Sequence, residues 1–227
     1  MAIKLILFNM EMVRAILDGR KSCTRRIIKP QPQGYFEVSE EPLYIYDTDG
    51  KQGKITPPYQ PGDILYVRET VWQKIGYYLD VDGETKPSWY NEFRYVASDE
   101  KPETGWNYSW VKRPSIHMPK EAARIWLKVT DVKVERLQEI DEDGVWDEGF
   151  RFKPPCLTRV SADGHTCDLD GPCTSSIKYC DMTMGELFGR KLWNNTIKKS
   201  DLDRYGWGAN PWVWVIEFER CEKPESL

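Results

Sequence analysis

The segment Ile16-Leu17-Asp18-Gly19-Arg20-Lys21-Ser22-Cys23-Thr24-Arg25-Arg26 decides how the rest of the chain is read. It begins as the end of a short amphipathic helix. Asn9 is placed to cap that helix, Val13, Ile16 and Leu17 supply its buried face, and Gly19 stops it. Four basic residues and three hydroxyl or thiol groups then fall between Gly19 and Arg26. Thr24 to Ile28 reads as extended chain, ended by Pro30 and Pro32.

Working outward, Ile3, Leu5 and Leu7 alternate, which predicts a strand over 3–8. Residues 33–60 are polar and turn-rich and read as a hairpin or long loop. Pro61-Gly62-Asp63 is a turn feeding a strand over 64–72. Residues 75–119 hold Gly, Pro, Tyr and Trp without a sustained period and read as an elaborated loop. A strand over 125–134 changes phase near Thr130-Asp131, as a bulge would require. Asp141 caps a helix with Glu142 and Asp143 in its first turn. Ile140 and Val145 have the spacing of a hydrophobic staple, and Gly149 closes the helix. Val145 and Trp146 are expected to be buried. Thr183 and Glu186 have capping-box spacing, and Trp212 to Glu219 forms a closing strand. This order predicts the α+β class, a mixed β-barrel flanked by short helices with long loop insertions. The chain reads as a single domain over 1–227, with a Cys-rich insert at about 150–181.

The 227 residues carry a net charge of −4, which excludes a wholly basic nucleic-acid coat and leaves room for a local basic pocket. Aromatic residues make up 13%, including 10 Trp. Such residues fill cores but also stack on bases. No segment approaches the ~20 apolar residues of a membrane span. The stretch from Met1 to Asn9 is too short for a secretory signal. The expected location is therefore cytoplasmic.

The basic cluster has two readings. One is a solvated turn. The other is a reactive pocket. A threonine hydroxyl becomes a nucleophile only when a base removes its proton. A lysine serves as that base when desolvation or neighbouring cations make it neutral. Arg20, Arg25 and Arg26 are such cations, and they could equally grip a phosphate or a polarised carbonyl oxygen. On a flat strand Lys21 and Thr24 would point to opposite faces, whereas a turn leaving a helix lets them converge.

The same segment resembles the opening signature of ASCH-domain proteins, a Gly-x-Lys-x-x-Thr-x-Arg pattern after a short helix. Gly62 to Glu69 resembles the second block of that family. Val129-Thr130-Asp131-Val132, with the helix ending Glu148-Gly149, resembles the third. The closing Trp-Val-Trp-Val-Ile-Glu-Phe strand is also similar. The blocks follow the family order, with departures at 33–60, 75–119 and the Cys-rich insert. The chain further resembles proteins of phages and prophages, some of them labelled morphogenetic.

The resemblance implies a PUA-like fold and, in some relatives, amidohydrolase activity on acetylcytidine nucleosides through a Lys, a Thr and a Glu. Here these are Lys21, Thr24 and Glu148, with Glu142 and Glu139 as fallback choices for the acid. Arg25, Arg26, Arg68 and Glu69 are the expected substrate contacts, though Arg68 and Glu69 equally suit an internal ion pair. Glu148 could also be a plain carboxylate on an exposed helix face. Beside Lys21 it would raise the lysine pKa and oppose its use as a base, while the arginines pull the other way. Other relatives bind or cleave RNA, so the second expectation is a module that reads a modified base in RNA or single-stranded DNA. A phage assembly factor is the third. Neither a catalytic cofactor nor a membrane partner is expected.

Cys156, Cys167, Cys173 and Cys180 lie close together with His165 nearby, but contain no Cys-x-x-Cys pair. They suit either a closed structural zinc site or four unligated thiols. His117 sits in a polar loop, where a histidine is more often structural or exposed than catalytic. Trp72, Trp126, Trp146, Trp193, Trp212 and Trp214 are expected in the core, and Trp89, Trp106 and Trp110 are the stacking candidates.

Overall fold

The computed structural model describes residues 1–32, 36–40, 43–47, 53–151 and 182–225. Their chain falls into two compact units. The first is Met1–Arg20, Tyr59–Asp131 and Glu217–Leu227, and the second is Lys21–Pro58 and Val132–Ile216.

In the first unit, β1 (Ile3–Leu7) runs parallel to β6 (Ile64–Arg68), with Ile3 opposite Ile64 and Leu7 opposite Arg68. The start of β10 (Trp126–Arg136) lies antiparallel on the other side of β6, Trp126 against Tyr66. Between β1 and the end of this segment, α1 (Met10–Leu17) begins at Asn9, whose side chain accepts a hydrogen bond from Met12 N at 2.9 Å. Val13, Ala15 and Ile16 are its buried face. It ends at Gly19, where φ is +70°, a value other residues adopt only with strain. The Pro61-Gly62-Asp63 turn is held by the buried Asp63 carboxylate, which accepts from Ala2 N at 2.9 Å and Gln60 N at 3.0 Å. Lys4 Nζ lies 2.8 Å from the same carboxylate.

Residues 75–119 are not the loop their sequence suggests. β7 (Val71–Leu79), β8 (Thr85–Tyr95) and β9 (Tyr108–Arg113) form an antiparallel sheet in the order β8-β7-β9. Two features hide it. A register shift between Gln73 and Ile75 breaks the alternation, and rings and cations rather than small polar residues occupy the outer face. The expected strand over 64–72 is accordingly two strands, parted at Glu69-Thr70.

In the second unit, β2 (Cys23–Ile27), the end of β10 and the start of β11 (Trp212–Cys221) lie in the order β10-β11-β2. The burial phase of β10 switches at Thr130-Asp131, both exposed, as its sequence predicts. A second sheet, β3 (Phe36–Glu40), β4 (Leu43–Asp47) and β5 (Gly53–Ile55), occupies the segment expected as a hairpin or loop. α2 (Glu142–Asp147) is capped by Asp141, which accepts from Gly144 N at 2.7 Å. α3 (Met184–Phe188) carries the capping box of Thr183 and Glu186. Both helices bury apolar side chains, among them Val145, Leu187 and Phe188, in one core with Ile140 and Val213. Trp146 departs from expectation. It is 38% exposed, with the Arg151 guanidinium 4.2 Å from its ring, because the α2 stripe that faces the core passes through Val145. Trp126, Trp193 and Trp214 are buried, while Trp72 and Trp212 are half-buried.

The α+β class read from the sequence therefore stands: strands in several sheets, with few and short helices. Among the described residues none of the sheets closes into a barrel, and no helix is long and apolar enough to cross a membrane. Cys156, Cys167, Cys173, Cys180 and His165 lie outside the described residues.

Candidate functional site

Lys21 and Ser22 run alongside the end of α2 before β2 begins. Lys21 forms an antiparallel bridge with Glu148. Ser22 N donates to Asp147 O at 2.9 Å, and its hydroxyl meets Asp147 Oδ1 at the same distance. These links set the two side chains of interest face to face. Lys21 Nζ donates to Glu148 Oε2 at 2.6 Å, to Glu148 O at 3.0 Å and to Cys23 O at 2.7 Å. An ammonium has three hydrogens, so each has an acceptor. The other carboxylate oxygen, Glu148 Oε1, accepts from Arg25 N at 2.6 Å. The Lys21 side chain is 0% exposed and that of Glu148 is 4%.

Arg25 joins the same cluster. Its Nη1 lies 3.6 Å from Glu148 Oε1, and its Nε donates to Glu135 Oε1 at 2.7 Å. Burial works against the Arg25 charge, but the Glu148 and Glu135 carboxylates outweigh it and raise the pKa. Two cations and two carboxylates thus neutralise one another. Such a buried set survives only when its lone pairs and protons find partners, because each isolated ion would lose several kcal/mol of hydration. Cys23 sits against this group, with Arg25 Nη1 3.6 Å from its sulfur. Burial, reinforced by the Glu148 charge, pushes its thiol up to about 12. It is an inert core residue, not a nucleophile.

Thr24 is buried as well, at 3% exposure. On β2 its side chain points away from the face that carries Cys23 and Arg25 and shares its own face with the half-buried Arg26. None of the hydrogen bonds described above involves Thr24 Oγ1. The structure therefore brings Lys21, Glu148 and Arg25 together, and the contacts of Lys21 with Cys23 O and of Glu148 with Arg25 N flank Thr24, which lies on the same strand as Arg25. Of the fallback acids, Glu139 is exposed and accepts from Arg136 N at 2.8 Å, and Glu142 is exposed in the first turn of α2. His117 is exposed too.

Arg68 and Glu69 belong to the first unit. Glu69 is 1% exposed and meets Arg124 through both oxygens, at 2.8 and 3.0 Å. Arg68 Nη1 donates to Ile116 O at 3.2 Å. Glu69 thus forms the internal ion pair considered above, with Arg124 and not Arg68 as its partner.

Glu135 and Gly144 were missed by the sequence reading. A Cβ on Gly144 would stand 2.9 Å from Arg25 Nη2 and 3.0 Å from Asp141 Oδ1. Glu135 is a lone acid near the end of β10 with no local signal. Among the described residues no group of His, Cys, Asp and Glu could hold a metal ion. No family model, curated protein or solved structure matches the chain.

Proposed function

We propose that this chain is an ASCH-type protein of PUA-like fold that hydrolyses an amide on an acylated pyrimidine nucleoside or base. The observation that carries this reading is the 2.6 Å contact of Lys21 Nζ with Glu148 Oε2, made between residues 127 positions apart in a buried site. These are two of the three residues that the resemblance implies. In the proposed reaction Glu148 takes a proton from Lys21. The neutral amine then takes the Thr24 hydroxyl proton as Oγ1 attacks the acyl carbon. The C–N bond breaks, and the proton now on Lys21 passes to the leaving amine. Water then hydrolyses the threonyl ester, releasing the carboxylic acid and restoring Thr24, and the proton held on Glu148 returns to Lys21. Arg25 holds Glu148 in place, and Arg26, on the Thr24 face, supplies positive potential for the developing oxyanion. No cofactor takes part.

The test is release of acetate from N4-acetylcytidine by the purified chain. Thr24→Val keeps the shape of the side chain and removes the nucleophile. It is expected to lower the rate at least ~100-fold without lowering the melting temperature. A wild-type protein that leaves acylated cytidines and cytosines intact overturns the reading. One observation favours a second reading, a module that reads a modified base in RNA or single-stranded DNA without chemistry: every Lys21 ammonium hydrogen already has an acceptor. That reading gains if the chain is inert on acylated pyrimidines and binds a modified oligonucleotide through Arg26.

A further inference from the structure

The β8-β7-β9 sheet buries one face through Val71, Gln73 and Ile75. Its register places Trp72, Lys74 and Gly76 of β7 on the other face. Lys112, Trp110 and Tyr108 stand opposite them on β9, and Arg94 stands opposite Trp72 on β8. Rings and cations alternate across this face. Lys74 Nζ lies 4.6 Å from the Tyr108 ring centre, 5.6 Å from that of Tyr90 and 5.9 Å from that of Trp110. Arg94 lies 5.8 Å from Trp110, while Lys112 and Lys101 lie 5.8 and 5.9 Å from Trp72.

Two glycines make room for the rings. A Cβ on Gly76 would stand 2.6 Å from the Tyr90 ring, and one on Gly105 would overlap the Tyr108 ring. The tyrosines therefore lie down on the backbone and do not project at random. A chain of net charge −4 has gathered cations here beside aromatic surface that its own core leaves partly uncovered. The acids Asp80, Asp82 and Glu84 are set apart at the β7–β8 turn.

We propose that this face binds single-stranded RNA, with bases stacking on Trp72, Tyr90 and Trp110 and phosphates meeting Arg94, Lys101 and Lys112. Stacking on protein rings requires bases that are free of a partner strand, which a duplex does not offer. Glu92 assigns the sugar. This carboxylate lies on the same face, 2.8 Å from Lys74 Nζ and with its side chain 41% exposed. It would repel a phosphate, but it accepts a hydrogen bond from a ribose 2′-hydroxyl, which DNA lacks. All of these residues belong to the first unit, whereas Lys21, Thr24 and Glu148 belong to the second. The proposal is independent of the hydrolase reading.

Fluorescence anisotropy of the full chain with a labelled single-stranded RNA of about 12 nucleotides, and with the same sequence in DNA, tests it. RNA is expected to bind at about 50 mM salt and to weaken steeply by about 200 mM. Trp110→Ala should weaken binding by ~5-fold or more. Lys112→Glu, at an exposed position that leaves the fold intact, should weaken it and flatten the salt dependence. Trp89→Ala is the control. That ring lies 4.5 Å from Arg113, which bonds Gln73 of the opposite face, and its loss should change nothing. Glu92→Gln should narrow the preference for RNA over DNA. Absence of binding at low salt, or equal losses in the Trp89 and Trp110 variants, overturns the proposal. Equal affinity for DNA overturns the assignment to RNA.

Discussion

The Arg25 guanidinium passes so close to Gly144 that a Cβ there would stand 2.9 Å from Nη2. Arg25 is 7% exposed and held at Glu135 and Glu148, so its tip is not free to swing aside. The same Cβ would press on Asp141, the cap of α2. In an ordinary helix, replacing Gly by Ala gains about 1 kcal/mol. Here Gly144→Ala should instead destabilise the chain by about 1–2 kcal/mol, the usual cost of forcing atoms into a packed site. Urea unfolding reads the sign directly. A stabilised variant would mean that Arg25 is not held as described.

Lys21 and Glu148 should be strongly coupled. Removing Lys21 leaves two carboxylates to the one Arg25 guanidinium, and removing the Glu148 carboxylate leaves the Lys21 ammonium with backbone carbonyls only, each at about 3–5 kcal/mol, the cost of breaking a buried pair. Lys21→Met and Glu148→Leu are each expected to fall in that range. The double variant should cost clearly less than their sum, because no lone charge remains. Additive losses in a denaturant-based cycle would show that the two side chains do not depend on each other.

The parts legible in the sequence are those set by local pattern. Asn9 and Gly19 mark the ends of α1, Thr183 and Glu186 mark the start of α3, and alternation marks β1, β6 and β11. Lys21 stood out by its charged surroundings. Glu135 did not, because it meets Arg25 across 110 positions and nothing near it in sequence signals that contact. β7, β8 and β9 were hidden for the opposite reason. Their outer face carries Trp72, Tyr90, Tyr108 and Trp110, so apolar and polar residues do not alternate, and the shift after Gln73 removes what period is left. A test for strands that counts only aliphatic alternation fails wherever a sheet wears rings on its outer side.

Cys23 should resist alkylation. With its thiol pushed up to about 12 by burial and by Glu148, it holds almost no thiolate at pH 8. Peptide-resolved mass spectrometry after iodoacetamide treatment should find it unmodified in the native chain and modified in urea. The same shift has a consequence for stability. The folded state keeps a proton that the unfolded state releases near pH 8.5. The contribution is intact below that pH and is lost as pH climbs towards about 12. Cys23→Ser should remove this alkaline slope, and an unchanged slope would assign it to other groups.

Asp63 gives the complementary dependence at acid pH. Burial acts to raise its pKa, but hydrogen bonds from Lys4, Gln60 N and Ala2 N outweigh that and hold it below the ordinary carboxylate range. Its folded value thus lies below its unfolded one, near 3.9. The unfolded state binds the proton first as pH falls. The carboxylate therefore stabilises the fold above that pH, and the contribution fades as pH falls through the depressed folded value. Asp63→Asn removes the charge and leaves one oxygen to serve two backbone donors and Lys4. It should cost about 1–3 kcal/mol at pH 7, the range for a buried group left without its partner. Below about pH 3.9 the unfolded state takes up the proton first, so the gap between the two proteins should begin to shrink there and go on shrinking as pH falls through the depressed folded value. Melting temperatures of both proteins from about pH 7 to about pH 2 decide the matter. A gap that stays constant across that range would mean that Asp63 acts through its shape and not through its charge.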